Sequence, residues 1–153
     1  SDFSLPKVHC VQPDGNDTIA GNLRKGLTEA KAVDDATTKV SGLQVAVVID
    51  GNETLQACKN TGGNGFLVKD EDTFACQRLL AIKEGIYAEP AGAVALAGFI
   101  KSVTSGELDK NSNAVCIVSG SGFKDPEATE NLIDKNPVRY LENYYEMDQY
   151  FRK

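Results

Sequence analysis

Short apolar runs break up an otherwise polar chain: LQVAVVI at 43–49, GFLV at 65–68 and AVCIV at 114–118. The first is rich in β-branched residues, which suit a pleated strand. The second has the length and hydrophobicity of a short buried strand. The third is apolar without alternation and bounded by polar residues. That is the pattern of a strand covered on both faces, as in a parallel sheet. A fourth run, PKVHCVQP at 6–13, alternates weakly between two prolines and predicts a further short strand.

Helical spacing fills the intervals. DGND turns the chain, and Asp17 or Thr18 can cap a short helix over IAGNLRK that ends at Gly26. Residues 27–41 are polar with several alanines, and another helix is expected there. Asp50 or Asn52 can cap a helix that stops at TGG. Asp70 precedes a helix with Phe74, Ala75, Leu79 and Ile82 on one side, ended by Glu84 and Gly85. The most helical segment is IYAEPAGAVALAGFIKSVTSG, where Pro90 fits the first turn because its missing N–H costs nothing there. Gly92 and Gly98 sit inside it, although glycine costs about 0.5–1 kcal/mol against alanine in a helix. They point either to close approach by backbone or ligand or to tight packing on a sheet. Asp125 can cap PEATENLIDK with Pro126 in its first turn. The end of the chain places Leu141, Tyr144, Tyr145 and Phe151 at helical spacing, which predicts an amphipathic helix that docks.

Strands and helices therefore alternate. This is the order of an α/β fold, a three-layer α/β/α sandwich with a mostly parallel, Rossmann-like sheet. Residues 1–136 read as one α/β domain and 137–153 as an amphipathic helix or tail.

Composition narrows the function. The 153 residues carry a formal net charge of -6, and the basic residues are scattered. No nucleic-acid backbone or anionic membrane surface is expected as a partner. The four cysteines form no CxxC pair and only one histidine is present, so no zinc cluster is expected. Buried free thiols suit a reducing compartment, and the expected location is cytoplasmic. The chain opens on SDFSLPKVHC, without Met, and reads as a cloned or clipped fragment.

Three places can carry chemistry. Ligands of open parallel sheets bind beyond the carboxyl ends of strands, where Ser119, Gly120, Ser121 and Gly122 follow AVCIV. Glycines let backbone approach a ligand and serine hydroxyls offer directed hydrogen bonds, although SGSG turns are also plain loops. Glu89 stands at the mouth of the small-residue helix, either as a cap on a solvated face or facing a ligand. Lys124 beside Asp125 reads as a salt-bridging or phosphate-facing residue. His9, the sole histidine, lies far from the serine loop in sequence, and no Ser-His-Asp triad is expected. TGGNG at 61–65 lies between a helix and a strand, the wrong order for a phosphate cradle, and reads as a turn.

Four stretches together resemble the pyridoxal-phosphate enzymes of the tryptophan synthase β-subunit fold, and among them threonine synthases most closely. They are DTIAGNLRKG, VSGLQVAVVIDG, the long run TGGNGFLVKDEDTFACQRLLAIKEGIYAEPAGAVALAG and VCIVSGSGFKDP, spread over residues 8 to about 126. The pair EGIxxEPA and TGxGxKDP, in that order, carries most of the specificity, with serine here in place of the threonine. The resemblance implies pyridoxal 5'-phosphate as cofactor. It implies Ser119 against the pyridine nitrogen, Gly120 and Gly122 shaping the loop beside the ring, and Glu89 and Ala91 lining the ring's edge. It also implies that 43–49 is partly an extended loop, in conflict with its strand propensity; relatives often have a proline where Ala46 stands. The Schiff-base lysine and the phosphate loop are expected upstream of this chain, so no catalytic residue is assigned within it. The implied parent is a lyase converting O-phosphohomoserine and water to threonine and phosphate. The alternatives are a threonine or serine dehydratase and a non-catalytic ligand-binding or assembly module. Implied partners are a small amino-acid substrate and the missing amino-terminal half of the enzyme, with a homodimer as a further candidate.

Overall fold

Two short strands run side by side in parallel: β1 (Cys10–Pro13) pairs with β2 (Gly65–Val68), Cys10 opposite Gly65 and Pro13 opposite Val68. The coordinates are a computed structural model that describes residues 5–132 and 140–152. Side chains alternate across the ladder, so β1 feeds two cores. Cys10 packs on one side with Leu23, Leu55 and Cys58, contributed by α1 (Ala20–Arg24) and α2 (Gly51–Asn60). Val11 packs on the other side with Val68, Ala93, Val94 and Ala97. The last three belong to α4 (Pro90–Thr104), which lies against α3 (Asp70–Leu79). Helices thus cover both faces of a parallel ladder, which is the α/β sandwich the element order predicts.

Local chemistry explains the element ends. The Asp17 carboxylate accepts the Gly21 N–H at 2.6 Å and satisfies an open donor of α1. The Gln12 side chain accepts two more, from Ile19 and Ala20. Pro90 opens α4 and Asp125 caps α5 (Pro126–Leu132) through the Ala128 N–H. After α3 a π-helical turn, Leu80–Glu84, ends at Gly85 in the left-handed region, φ 66°. This reverses the chain toward α4.

Four expectations need correction. Residues 43–49 form no strand. The Asn16 amide donates to the carbonyls of Leu43 and Val45, and the Ala46 carbonyl accepts from Val33, so three carbonyls of the run are taken by groups outside any ladder. The extended-loop reading prevails over β propensity. Residues 27–41 form no helix; Asp70 holds Thr38 and Lys39, and Gly15 holds Thr37, fixing an irregular path. Residues 114–118 are not a covered strand either. Among the described residues no backbone group of this segment is paired, and Val115 and Ile117 are 93% and 77% exposed. A strand needs a neighbour to take its N–H and C=O groups, and none of the described residues supplies one. Finally, the predicted face of α3 is not the buried one. Thr73, Cys76, Gln77 and Leu80 are buried, while Ala75, Leu79 and Ile82 are exposed.

The tail helix exists as α6 (Tyr144–Phe151), capped by the Asn143 side chain. It has no buried residue, and Tyr144, Tyr145 and Phe151 are exposed, so the expected docking is not seen among the described residues. Its boundary with the rest of the chain at 136/137, and the end of the helix predicted beyond Leu132, fall outside the described residues.

Candidate functional site

The chain brings 119–122 directly against 87–92. Ala88 and Ser121 form an isolated antiparallel bridge, flanked by Glu89 N–H to the Gly120 carbonyl at 3.3 Å and Gly122 N–H to the Tyr87 carbonyl at 3.0 Å. The serine loop is therefore stitched to the approach of α4, although the two segments are some thirty residues apart in sequence.

Small side chains make this contact close. A Cβ on Gly92 would lie 2.0 Å from the Ser119 carbonyl oxygen, so the first turn of α4 presses on the loop's backbone. Gly120 adopts φ 63°, and a Cβ there would meet the Glu89 carboxylate at 1.8 Å. Of the glycines predicted to permit close approach, Gly92 meets backbone and Gly120 a carboxylate, whereas Gly98 lies against the Val11 side chain of β1 and Gly122 against the Tyr87 ring. Ala91 faces Gly42, whose Cβ would lie 3.4 Å from that of Ala91. Tyr87 closes the lower edge: its ring lies edge-on to Phe123 at 4.9 Å, and its hydroxyl bonds Thr129 of α5.

Ser119, Gly120, Gly122, Glu89 and Ala91 thus lie within one patch. Ser119 is exposed, and among the described residues its hydroxyl has no hydrogen-bond partner, so it is free to meet a ligand. Glu89 and Ala91 are half-buried, whereas Gly122 is buried beneath Tyr87. Lys124 is exposed on the turn that follows.

Two neighbours were not foreseen from the sequence. Ser41 donates to the Asp125 carboxylate, and Asp125 also caps α5, so the 38–43 loop is tied to the serine loop. Asp70, at the start of α3, ties the same loop at Thr38. Ser41 and Gly42 lie in a polar stretch with no periodicity, and only their place ahead of LQVAVVI could have flagged them. A cleft of about 240 Å³ opens beside Gly42, between the carboxyl end of β1 and residues 43–51. It lies where parallel α/β folds accept ligands.

The other candidates do not join this patch. The Nδ1 atom of His9 accepts the Asn64 N–H and the ring packs 5.4 Å from Phe66. Burial, with Lys7 nearby, lowers its pKa. TGGNG is a turn, as predicted; Gly63 lies against the Val8 carbonyl and Gly65 against Ala20. Burial raises all four thiols, and Cys10, further repelled by Cys58 and Asp17, is pushed up to about 12. The raised values disfavour the thiolate, which is the nucleophilic form.

Comparison with known proteins gives a consistent picture. Residues 1–120 match the family described as pyridoxal-phosphate dependent enzyme. The chain is 35% identical over 124 residues to a threonine synthase of Methanocaldococcus jannaschii, covering 81% of this chain and 31% of that protein. It is 31% identical over 134 residues to a threonine synthase of Halalkalibacterium halodurans, covering 88% and 36%. Among solved structures, maize serine racemase superposes with a TM-score of 0.60 at 15% identity, over 96% of this chain and 39% of that one. A fungal L-serine ammonia-lyase from Rhizomucor miehei gives 0.60 at 19% identity, over 82% and 41%. The chain spans about a third of the length of the curated relatives it matches.

Proposed function

Because the chain belongs to the family of pyridoxal-phosphate dependent enzymes, we propose that the 119–122 loop and the mouth of α4 form one edge of its cofactor site, in a lyase acting on a small amino acid. One observation supports this most: an exposed serine hydroxyl without a partner among the described residues, set in a patch whose neighbours are Gly42, Ala91, Gly92 and Gly120. Such a patch fits a flat heteroaromatic ring. The glycines admit the ring's edge, and the Ser119 hydroxyl serves its nitrogen as a neutral hydrogen-bond partner. When bound, the cofactor supplies an electron sink for bond breaking at the substrate. A hydroxyl, unlike a carboxylate, does not hold positive charge on the ring nitrogen, and so moderates that sink. Glu89 leans on Gly120 and fixes the loop's height at the ring's edge. The Ser41–Asp125 bond holds the 41–43 turn against the same edge.

Two finer readings share this chemistry. In the first, O-phosphohomoserine and water give threonine and phosphate; its support is the sequence similarity to proteins named threonine synthase. In the second, threonine or serine gives the corresponding 2-oxo acid and ammonia. The serine at 119, in place of the threonine usual in threonine synthases, favours this second reading. The parent enzyme separates them in two assays. Inorganic phosphate released from O-phosphohomoserine supports the first and 2-oxo acid formed from threonine or serine supports the second. An enzyme giving neither, with no cofactor absorbance, overturns the lyase reading.

A further inference from the structure

Gln77 is a positioning residue for the serine loop, we infer, acting through the back of the strip that carries it; this rests on the reading of 119–122 as a cofactor edge. In the Ala88–Ser121 bridge the two flanking hydrogen bonds come from Glu89 and Gly122. Ala88 therefore occupies a non-hydrogen-bonded position, where a residue's own N–H and C=O point away from the partner strand. The Ala88 carbonyl faces inward, toward α3. It precedes the helix and lies outside the ladder of α4, so it needs a donor from elsewhere.

That donor is the Gln77 side chain, whose Nε2 reaches the Ala88 carbonyl at 2.9 Å. Both residues are 1% exposed, so water does not compete for the bond. The π-helical turn and Gly85 make it possible by folding residue 88 back onto α3. The bond also fixes the amide's orientation, because the opposite flip would set oxygen against oxygen. The remaining atom, Oε1, is buried and without a partner among the described residues. A side chain needed only to fill space would do better as methionine or leucine, since an unpaired buried acceptor is unfavourable. The glutamine is explained by what its nitrogen holds. With it, 87–89 is clamped from both sides, by the loop in front and by α3 behind, and the height of Ser119 over Gly92 is set from the interior.

The test is residue-resolved hydrogen exchange on the chain with Gln77→Met and Gln77→Glu. Methionine keeps the volume and removes the donor. The expected result is a loss of about tenfold in protection at the Glu89 and Gly122 amides, the scale of one hydrogen bond, with the interior of α4 unchanged. Glutamic acid adds a sharper signature. Its protonated carboxyl can donate to Ala88 and its carboxylate cannot, so protection at the same two amides should return as pH falls through its buried, raised pKa. Unchanged protection in both variants, or an equal loss throughout α4, would overturn the assignment. A parent enzyme that binds no cofactor would overturn the proposed function and leave this exchange result standing.

Discussion

Gly92 shows how much one hydrogen in place of a methyl group decides here. A methyl at that position would occupy the space of the Ser119 carbonyl oxygen, and the atom it meets is backbone, which cannot rotate away. Alanine has the better intrinsic helix propensity by about 1 kcal/mol, so an isolated helix would gain. In this chain Gly92→Ala should instead destabilise by about 1–3 kcal/mol through overpacking. Urea unfolding followed by circular dichroism measures it, and a midpoint at or above that of the parent chain would contradict the packing described. Cys10 gives the residue scale a pH dependence. Its folded pKa, about 12, lies above the ordinary thiol value of 9. A group raised in the folded state adds stability that is complete below the unfolded value and lost as pH rises through the folded one. Stability should therefore decline from about pH 9 toward pH 12, and Cys10→Ala should flatten that decline. Urea midpoints across this range decide the matter.

Among the elements, the segment 114–118 differs most from its surroundings. Five residues of strand-forming composition have no backbone partner among the described residues, with Val115 and Ile117 facing solvent. Exposed, unpaired, apolar backbone is a template for association. Ile117→Lys should leave the chain's unfolding free energy within about 0.5 kcal/mol of the original, as surface substitutions do. It should also reduce self-association in sedimentation velocity at high concentration. A chain that unfolds on this substitution would show the segment to be core. Here too the limits of the sequence become physical. Caps and stops at Pro90, Gly85 and Asp125 were legible because they depend on neighbours a few residues away. The loop at 43–49 was legible only through the family resemblance and not from local propensity, since the donor to the Leu43 and Val45 carbonyls is Asn16, remote in sequence. The buried stripe of α3 was misread because two of its three members, Thr73 and Gln77, are polar. Hydrophobic periodicity cannot see a polar side chain buried for the bond it makes.

For the whole molecule, the ladder has two strands and the candidate site is one-sided. Ser119, Gly120, Glu89 and Ala91 could be named from motifs, because the patch is built from two short segments with distinctive spacing. The loop at 38–43 came only with the coordinates, through Asp70 and Asp125. No lysine of the described residues lies in the patch, and Lys124 is exposed on the turn beyond it. The chain alone should therefore not retain pyridoxal phosphate covalently. Borohydride reduction followed by intact mass measurement should leave the chain's mass unchanged, and a stoichiometric lysine adduct would refute this.

The contact between Tyr87 and Phe123 has an optical consequence. The chain has no tryptophan, and its other four tyrosines all lie between 140 and 150. Changing those four, all exposed in the tail, to phenylalanine leaves Tyr87 as the sole tyrosine fluorophore. Its ring rests over Gly122 and its hydroxyl is engaged by Thr129. The protein would then carry an intrinsic fluorophore at the hinge between loop and helix, and its emission would report the position of the loop without a dye.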